Sequence, residues 1–269
     1  MSGRHAGPRN VPALLNGLSE EKFTGTVLVS GSPGGTIHLR QGLIASVETP
    51  GAPTPESILL RSGRVDDAAW ALARTAPDEE VGVLLAARGL LGREEFEVVC
   101  TAAVFDGAFA LALSPLGTWE VHDPAPAVIG GPAVEPHRLA AETTRRMALL
   151  AQLWGPPAEF ARTRIRPTEP ASTTPVPPRY AELLGAANGR RTPRDIAFAL
   201  GRGLYPVMLD LGRMRLLRLV RHDVPETSGR PSTAPRTPDP TAQSVPSVTP
   251  SQLPRRTPGA HDPRRSGGM

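Results

Sequence analysis

The amino-acid sequence predicts an α+β protein: a small antiparallel β-meander packed with helices, then a winged helix-turn-helix-like module and a disordered C-terminal tail. Three observations carry this expectation. Residues 23–48 alternate apolar and polar side chains between turn residues, residues 54–101 repeat one helix–glycine–helix pattern, and residues 179–221 are punctuated like capped short helices and a strand. The expected organisation is a flexible N-terminus (1–9), an α+β domain (10–154), a Pro-rich linker (155–178), the basic module (179–221) and the tail (222–269).

The meander is read from period-two patterning. Phe23–Ser30 is a strand, Gly31-Ser32-Pro33-Gly34-Gly35 a tight turn, Thr36–Arg40 its partner and Leu43–Val47 a third strand. Thr26/Leu28 and Ile37/Leu39 alternate as half-buried antiparallel strands do. The glycine-rich stretch is read as a hairpin turn, because no Lys-Ser or Lys-Thr follows it to make a phosphate loop.

The next two segments are copies. Leu59-Leu60-x-x-Gly63-x-Val65-x4-Trp70 recurs as Leu84-Leu85-x3-Gly89-x-Leu91-x4-Phe96, with the glycine, aliphatic and aromatic positions all offset by 26. Each copy predicts a helix, a glycine stop and a second helix that buries its aromatic residue. First-turn acids Asp66-Asp67 and Glu94-Glu95 favour the second helix of each pair. Phe105–Leu113 is apolar with an Asp106-Gly107 interruption, and Thr118–Val121 reads as a strand that returns to the sheet. From His137 to Trp154 the spacing of Leu139, Thr143, Met147, Leu150 and Trp154 predicts a helix with one buried face, ended by Gly155-Pro156-Pro157.

Charge separates the two halves. Residues 10–178 carry 13 basic and 19 acidic side chains, a net of −6, whereas residues 179–221 carry nine arginines against Glu182, Asp195 and Asp210, a net of +6. Arginines facing phosphates release counterions, so a basic module beside an acidic one is what a nucleic-acid contact needs. The same split would also serve attraction between the halves, or docking of a protein partner. Within the module Tyr180–Ala187 reads as a helix ended by Asn188-Gly189. Thr192-Pro193-Arg194-Asp195 opens a second helix with a capping-box-like start. Gly201-Arg202-Gly203-Leu204 is the turn, Tyr205-Pro206 opens the third helix, and Leu216–Val220 is expected as a strand.

In winged helices the helix after the turn enters the major groove. Here it starts Tyr205-Pro206-Val207-Met208-Leu209-Asp210, which supplies few base-reading side chains. The expected nucleic-acid contacts are therefore phosphate contacts by Arg190, Arg191, Arg194, Arg202 and Arg213.

Other chemistry is sparse. One cysteine rules out a disulfide framework, and Cys100 sits in an apolar stretch as a packed thiol. The six histidines (5, 38, 122, 137, 222, 261) lack metal-ligand spacing, and the acid pairs Asp66-Asp67 and Glu79-Glu80 read as solvated helix starts. No catalytic residue, cofactor or metal is expected. An apolar signal-peptide core and a membrane-length apolar run are both missing, so the expectation is a cytoplasmic protein. Past Arg221, ten prolines among 48 residues with almost no large apolar side chains predict disorder.

The segment Phe23-Thr24-Gly25-Thr26-Val27-Leu28-Val29, with Gly35-Thr36-Ile37-His38-Leu39-Arg40-Gln41-Gly42-Leu43-Ile44-Ala45-Ser46-Val47, resembles the core of the bacterial PatA-N-terminal-like domain family. Gly117–Val121 and Asn188–Ala197 also resemble its longer members, which often end in a winged-helix-like module. The resemblance spans about residues 10–221 and implies a non-catalytic signalling or regulatory protein, associated with receiver domains, small GTPase systems or gene control. It transfers no catalytic residue, and the chain has no receiver domain. The leading expectation is a regulator that binds DNA through the basic module. The alternative is a protein-interaction adaptor, in a small GTPase or two-component system, whose winged helix is purely structural.

Overall fold

Four antiparallel strands form the sheet at the front of the chain, in the order β3-β2-β1-β4. They are β1 (Gly25–Val29), β2 (Gly35–Arg40), β3 (Leu43–Glu48) and β4 (Trp119–His122). The computed structural model describes residues 11–75, 81–115, 117–124, 131–169 and 175–223. The three-strand meander stands where the alternation put it, and β4 returns across some 70 residues to pair Val29 with Trp119 and Val27 with Val121. Val27, Val29, Ile37, Leu39, Ile44 and Val47 are buried with Val11, Leu15 and Leu18 of helix α1 (Val11–Glu20).

The tandem pattern becomes two helix pairs: α2 (Pro55–Arg61) with α3 (Asp67–Ala73), and α4 (Val81–Ala87) with α5 (Arg93–Ala112). Gly63 and Gly89 take φ of +68° and +67° at the two stops. The Asp66 side chain caps α3 by accepting from the Ala69 N–H. Trp70 and Phe96 lie in one apolar cluster with Leu59, Val65, Leu85, Leu91 and Cys100, so the repeats bury their aromatics against each other.

Helix α5 departs from the expectation. It runs unbroken for 20 residues through Asp106-Gly107, and from Ala103 to Leu111 every residue but Ala108 is buried, Val104, Phe105 and Phe109 among them. A helix apolar all round belongs inside a core. Gly107 is the point of close approach: a Cβ there would lie 2.9 Å from both the carbonyl oxygen and Cγ1 of Val47. The glycine that looked like a break lets the helix press onto β3.

The back of the chain contains α6 (Pro136–Trp154), α7 (Pro157–Phe160), β5 (Arg164–Pro167), α8 (Pro178–Ala186), α9 (Pro193–Leu200), α10 (Leu204–Leu216) and β6 (Val220–Asp223). Residues 155–169, read from composition as the start of a linker, hold α7 and β5. Strand β5 pairs antiparallel with β6, Ile165 opposite His222 and Pro167 opposite Val220. Its proline falls at the strand's end, where no ladder donor is needed. The strand expected at Leu216–Val220 starts only at Val220, because α10 continues through Leu216 and Arg218 takes the left-handed turn with φ +57°.

One apolar cluster joins the back to α5 and α6. It contains Phe109, Leu113, Leu150, Phe160, Ile165, Leu183, Ile196, Met208, Leu211 and Val220. Trp154 stacks on Phe160 at 3.9 Å, and the Arg215 guanidinium lies 4.5 Å from the Trp154 ring while donating to its backbone carbonyl at 3.0 Å. Among the described residues no helix is long and apolar enough to cross a membrane. The expectations for residues 1–9, for Glu79-Glu80 and for the tail beyond residue 223 lie outside the described residues.

Candidate functional site: the arginine-bearing helices

The three helices α8, α9 and α10 follow the punctuation read from the sequence. Thr192 caps α9: its hydroxyl accepts from the Asp195 N–H at 3.3 Å, and the Asp195 carboxylate accepts from the Thr192 N–H at 2.9 Å. This reciprocal box satisfies two of the four otherwise orphaned donors at a helix start. Gly201 closes α9 in the left-handed conformation at φ +60°.

The five expected contact arginines divide into two groups. Arg190 and Arg191 sit on the loop before α9, where the Asn188 side-chain oxygen accepts both of their backbone N–H groups at 3.0 and 3.2 Å. The Gly189 N–H donates to the Ile165 carbonyl and the Ile165 N–H to the Arg191 carbonyl, so the loop is tied to β5. The Arg190 side chain is exposed, while Arg191 is half-buried and donates to the Ala186 carbonyl at 3.3 Å. Arg194, in the first turn of α9, is exposed, with its guanidinium 5.6 Å from the Phe198 ring. The second group is engaged on the far side of the turn. Arg202 donates to the buried Asp210 carboxylate at 2.9 Å, and Arg213 lies 3.7 Å from the other oxygen of the same group. One buried anion thus faces two of the five cations, and the structure does not bring all five together as one free basic surface.

The start of α10 faces inward. Leu204 and Tyr205 are buried, and their backbone N–H groups donate to the carboxylate of Asp106, 98 and 99 residues earlier in α5, the Tyr205 bond at 2.7 Å. Burial pushes the Asp106 carboxyl up from its ordinary value, while the Tyr205 and Leu204 N–H groups and the Arg146 charge pull it back down. Arg146 in turn lies over the Tyr205 ring at 4.6 Å. A helix whose first N–H groups are sealed by an internal carboxylate does not offer that end to a ligand. On its outer side α10 presents Pro206, Arg213 and Leu216, with Leu216 and the following Leu217 65% and 61% exposed, while Leu209 is half-buried against the core.

Asp106 is the residue that sequence reasoning passed over. The signal was available: an acid inside a continuous apolar stretch needs donors, and none lay nearby in sequence.

Burial raises the Cys100 thiol to about 12, with Glu97 adding to the shift. Burial lowers the His38 imidazole from 6.5 against the pull of Glu48, whose carboxylate is 3.8 Å away. Among the described residues no group of three His, Cys, Asp or Glu side chains is placed to hold a metal ion. Compared with known proteins, the chain matches no family model, no curated protein and no solved structure.

Proposed function

We propose that this chain is a non-catalytic regulatory protein that works as a protein-interaction adaptor, with a winged-helix-like module serving as a structural platform. The observation that carries the reading is the orientation of α10. Its start is sealed against α5 by Asp106, and its end exposes the adjacent Leu216 and Leu217. Leu216 and Leu217 are flanked by the exposed Arg213 and Arg218. The fitting partner is a protein surface with an apolar patch fringed by carboxylates. The chain's own tail is a poor occupant, since residues 222–269 carry six arginines against four acids and almost no large apolar side chains. The PatA-N-terminal-like resemblance of residues 23–47 agrees with a signalling role and extends the proposal to a bacterial GTPase or two-component system.

DNA binding is the second reading, favoured by the exposed Arg190 and Arg194 and by the exposed Arg164 of β5 and Arg221 of β6. Such a surface would hold phosphates without reading bases. Two measurements on the full chain decide between them. In a native-lysate capture, one predominant acidic protein should be retained at 1:1, fall at least tenfold with Leu216→Glu/Leu217→Glu, and persist when Arg190, Arg191 and Arg194 are changed to Gln. The captured protein, once purified, should rebind with the same dependence. No capture, or capture indifferent to the leucines, removes the adaptor reading. Low-salt retention of duplex DNA that is lost with the three arginine changes puts the DNA reading in its place.

A further inference from the structure

A cleft of about 570 Å³ opens where the front sheet, α5, α7 and the start of α9 converge. Its volume lies inside the roughly 300–1,000 Å³ range of small-molecule sites. The β1–β2 turn forms one wall with Gly31, Ser32 and Gly34, and the end of α5 forms the floor with Ala110, Leu113 and Ser114. Arg162, just past α7, and Arg194 of α9 close the other side. Two arginines therefore line the cleft, and among the described residues no Asp or Glu does. Neither arginine pairs with a carboxylate among the described residues. Asp195, next along α9, is turned back onto the N–H and hydroxyl of Thr192, each at 2.9 Å, and does not line the cleft.

The rest of the lining sets the shape of a ligand. Leu113, Ala161 and Leu204 give an apolar floor, and Ser32 and Ser114 also line the cleft. No aromatic ring lines the cleft, so a nucleobase would find no stacking platform. Two fork-shaped donors beside an aliphatic floor match an oxyanion head carrying a short aliphatic body.

We propose that this cleft binds a small amphiphilic anion, a carboxylate or phosphate monoester of an aliphatic chain, held by Arg162 and Arg194 with its hydrocarbon part against Leu113, Ala161 and Leu204. The site is separate from the exposed end of α10 and does not depend on the adaptor reading. It explains why two neighbouring exposed arginines on a largely acidic half and its basic neighbour converge on one concave surface without an internal counter-charge.

The test is isothermal titration calorimetry of the full chain at low salt with octanoate, octyl phosphate, inorganic phosphate and octanol. The expected result is saturable 1:1 binding of octanoate or octyl phosphate, with the tighter of the two identifying the head group. Inorganic phosphate and octanol should bind at least tenfold more weakly. Arg162→Gln and Arg194→Gln should each weaken the better ligand about tenfold, the loss expected for a charge-assisted fork. Both arginines are exposed and form no ion pair among the described residues, so these variants should keep the parent's circular dichroism and melting temperature. As a second route, Ala161→Trp fills the cleft and should abolish binding, while Leu217→Glu, just past α10, should leave it unchanged. The proposal is overturned by an absence of saturable heat with both anions, by affinities indifferent to both arginine changes, or by octanol binding as tightly as the anions.

Discussion

Replacing Asp106 with Ala tests the central joint of the molecule. The carboxylate is 3% exposed and accepts the N–H groups of Leu204 and Tyr205 at the start of α10. Its removal leaves two buried donors without partners, at about 1–3 kcal/mol each. Part of this returns because a desolvated carboxyl no longer has to be held in the core. The expected net loss is about 2–4 kcal/mol. Asp106→Asn keeps one acceptor oxygen and should lose about half as much. Urea denaturation followed by circular dichroism reads the difference as a shift in midpoint at constant slope. The pH dependence gives a second readout. A carboxyl whose folded pKa is raised holds its proton more tightly when folded, so the parent should lose stability as pH climbs from 3.8 through the shifted value. Asp106→Asn should lack that slope. An Asp106→Ala protein within about 0.5 kcal/mol of the parent, the range of ordinary surface changes, would refute the view that this carboxylate anchors α10.

Other substitutions and probes test separate contacts. At Gly201 the φ of +60° and a Cβ position 2.6 Å from Arg61 Cβ and 3.0 Å from the Ser62 nitrogen make alanine both strained and crowded. Gly201→Ala should cost about 2–3 kcal/mol in chemical denaturation, against about 1 kcal/mol for Gly63→Ala, which has the strain without the crowding. His38 binds its proton more weakly folded than unfolded, so its contribution is complete above about pH 6.5 and lost as pH falls below it. A His38→Gln variant should therefore show a flatter melting-temperature profile between pH 7 and pH 5. The buried Cys100 thiol, raised to about 12, should resist iodoacetamide at pH 8 in the native protein and react once urea unfolds it.

Much of the fold was legible in order along the chain. The meander follows from alternation between turn residues, and the helix pairs follow from the repeated leucine, glycine and aromatic positions. The start of α9 is written in four adjacent residues, because Thr192 and Asp195 bond reciprocally with each other's backbone and side chain. Each of these rests on interactions spanning a few residues, which a local pattern captures. The candidate site was less legible. The arginines were found as a group, but composition assigns all nine of the module's cations to one pool and cannot say which of them face Asp210 and which face solvent.

By itself the amino-acid order determined the α+β character, the sheet's meander, the repeated helix pairs and the capped start of α9. Tertiary structure alone decided that α5 passes through Asp106-Gly107, that the proline-containing strand at Arg164–Pro167 pairs with Val220–Asp223, and that the start of α10 points into the core. The physical reason is common to all three. Each depends on a partner some 50 to 100 residues away that satisfies a buried polar group or fills a space beside a glycine. Only a folded chain can bring such partners together.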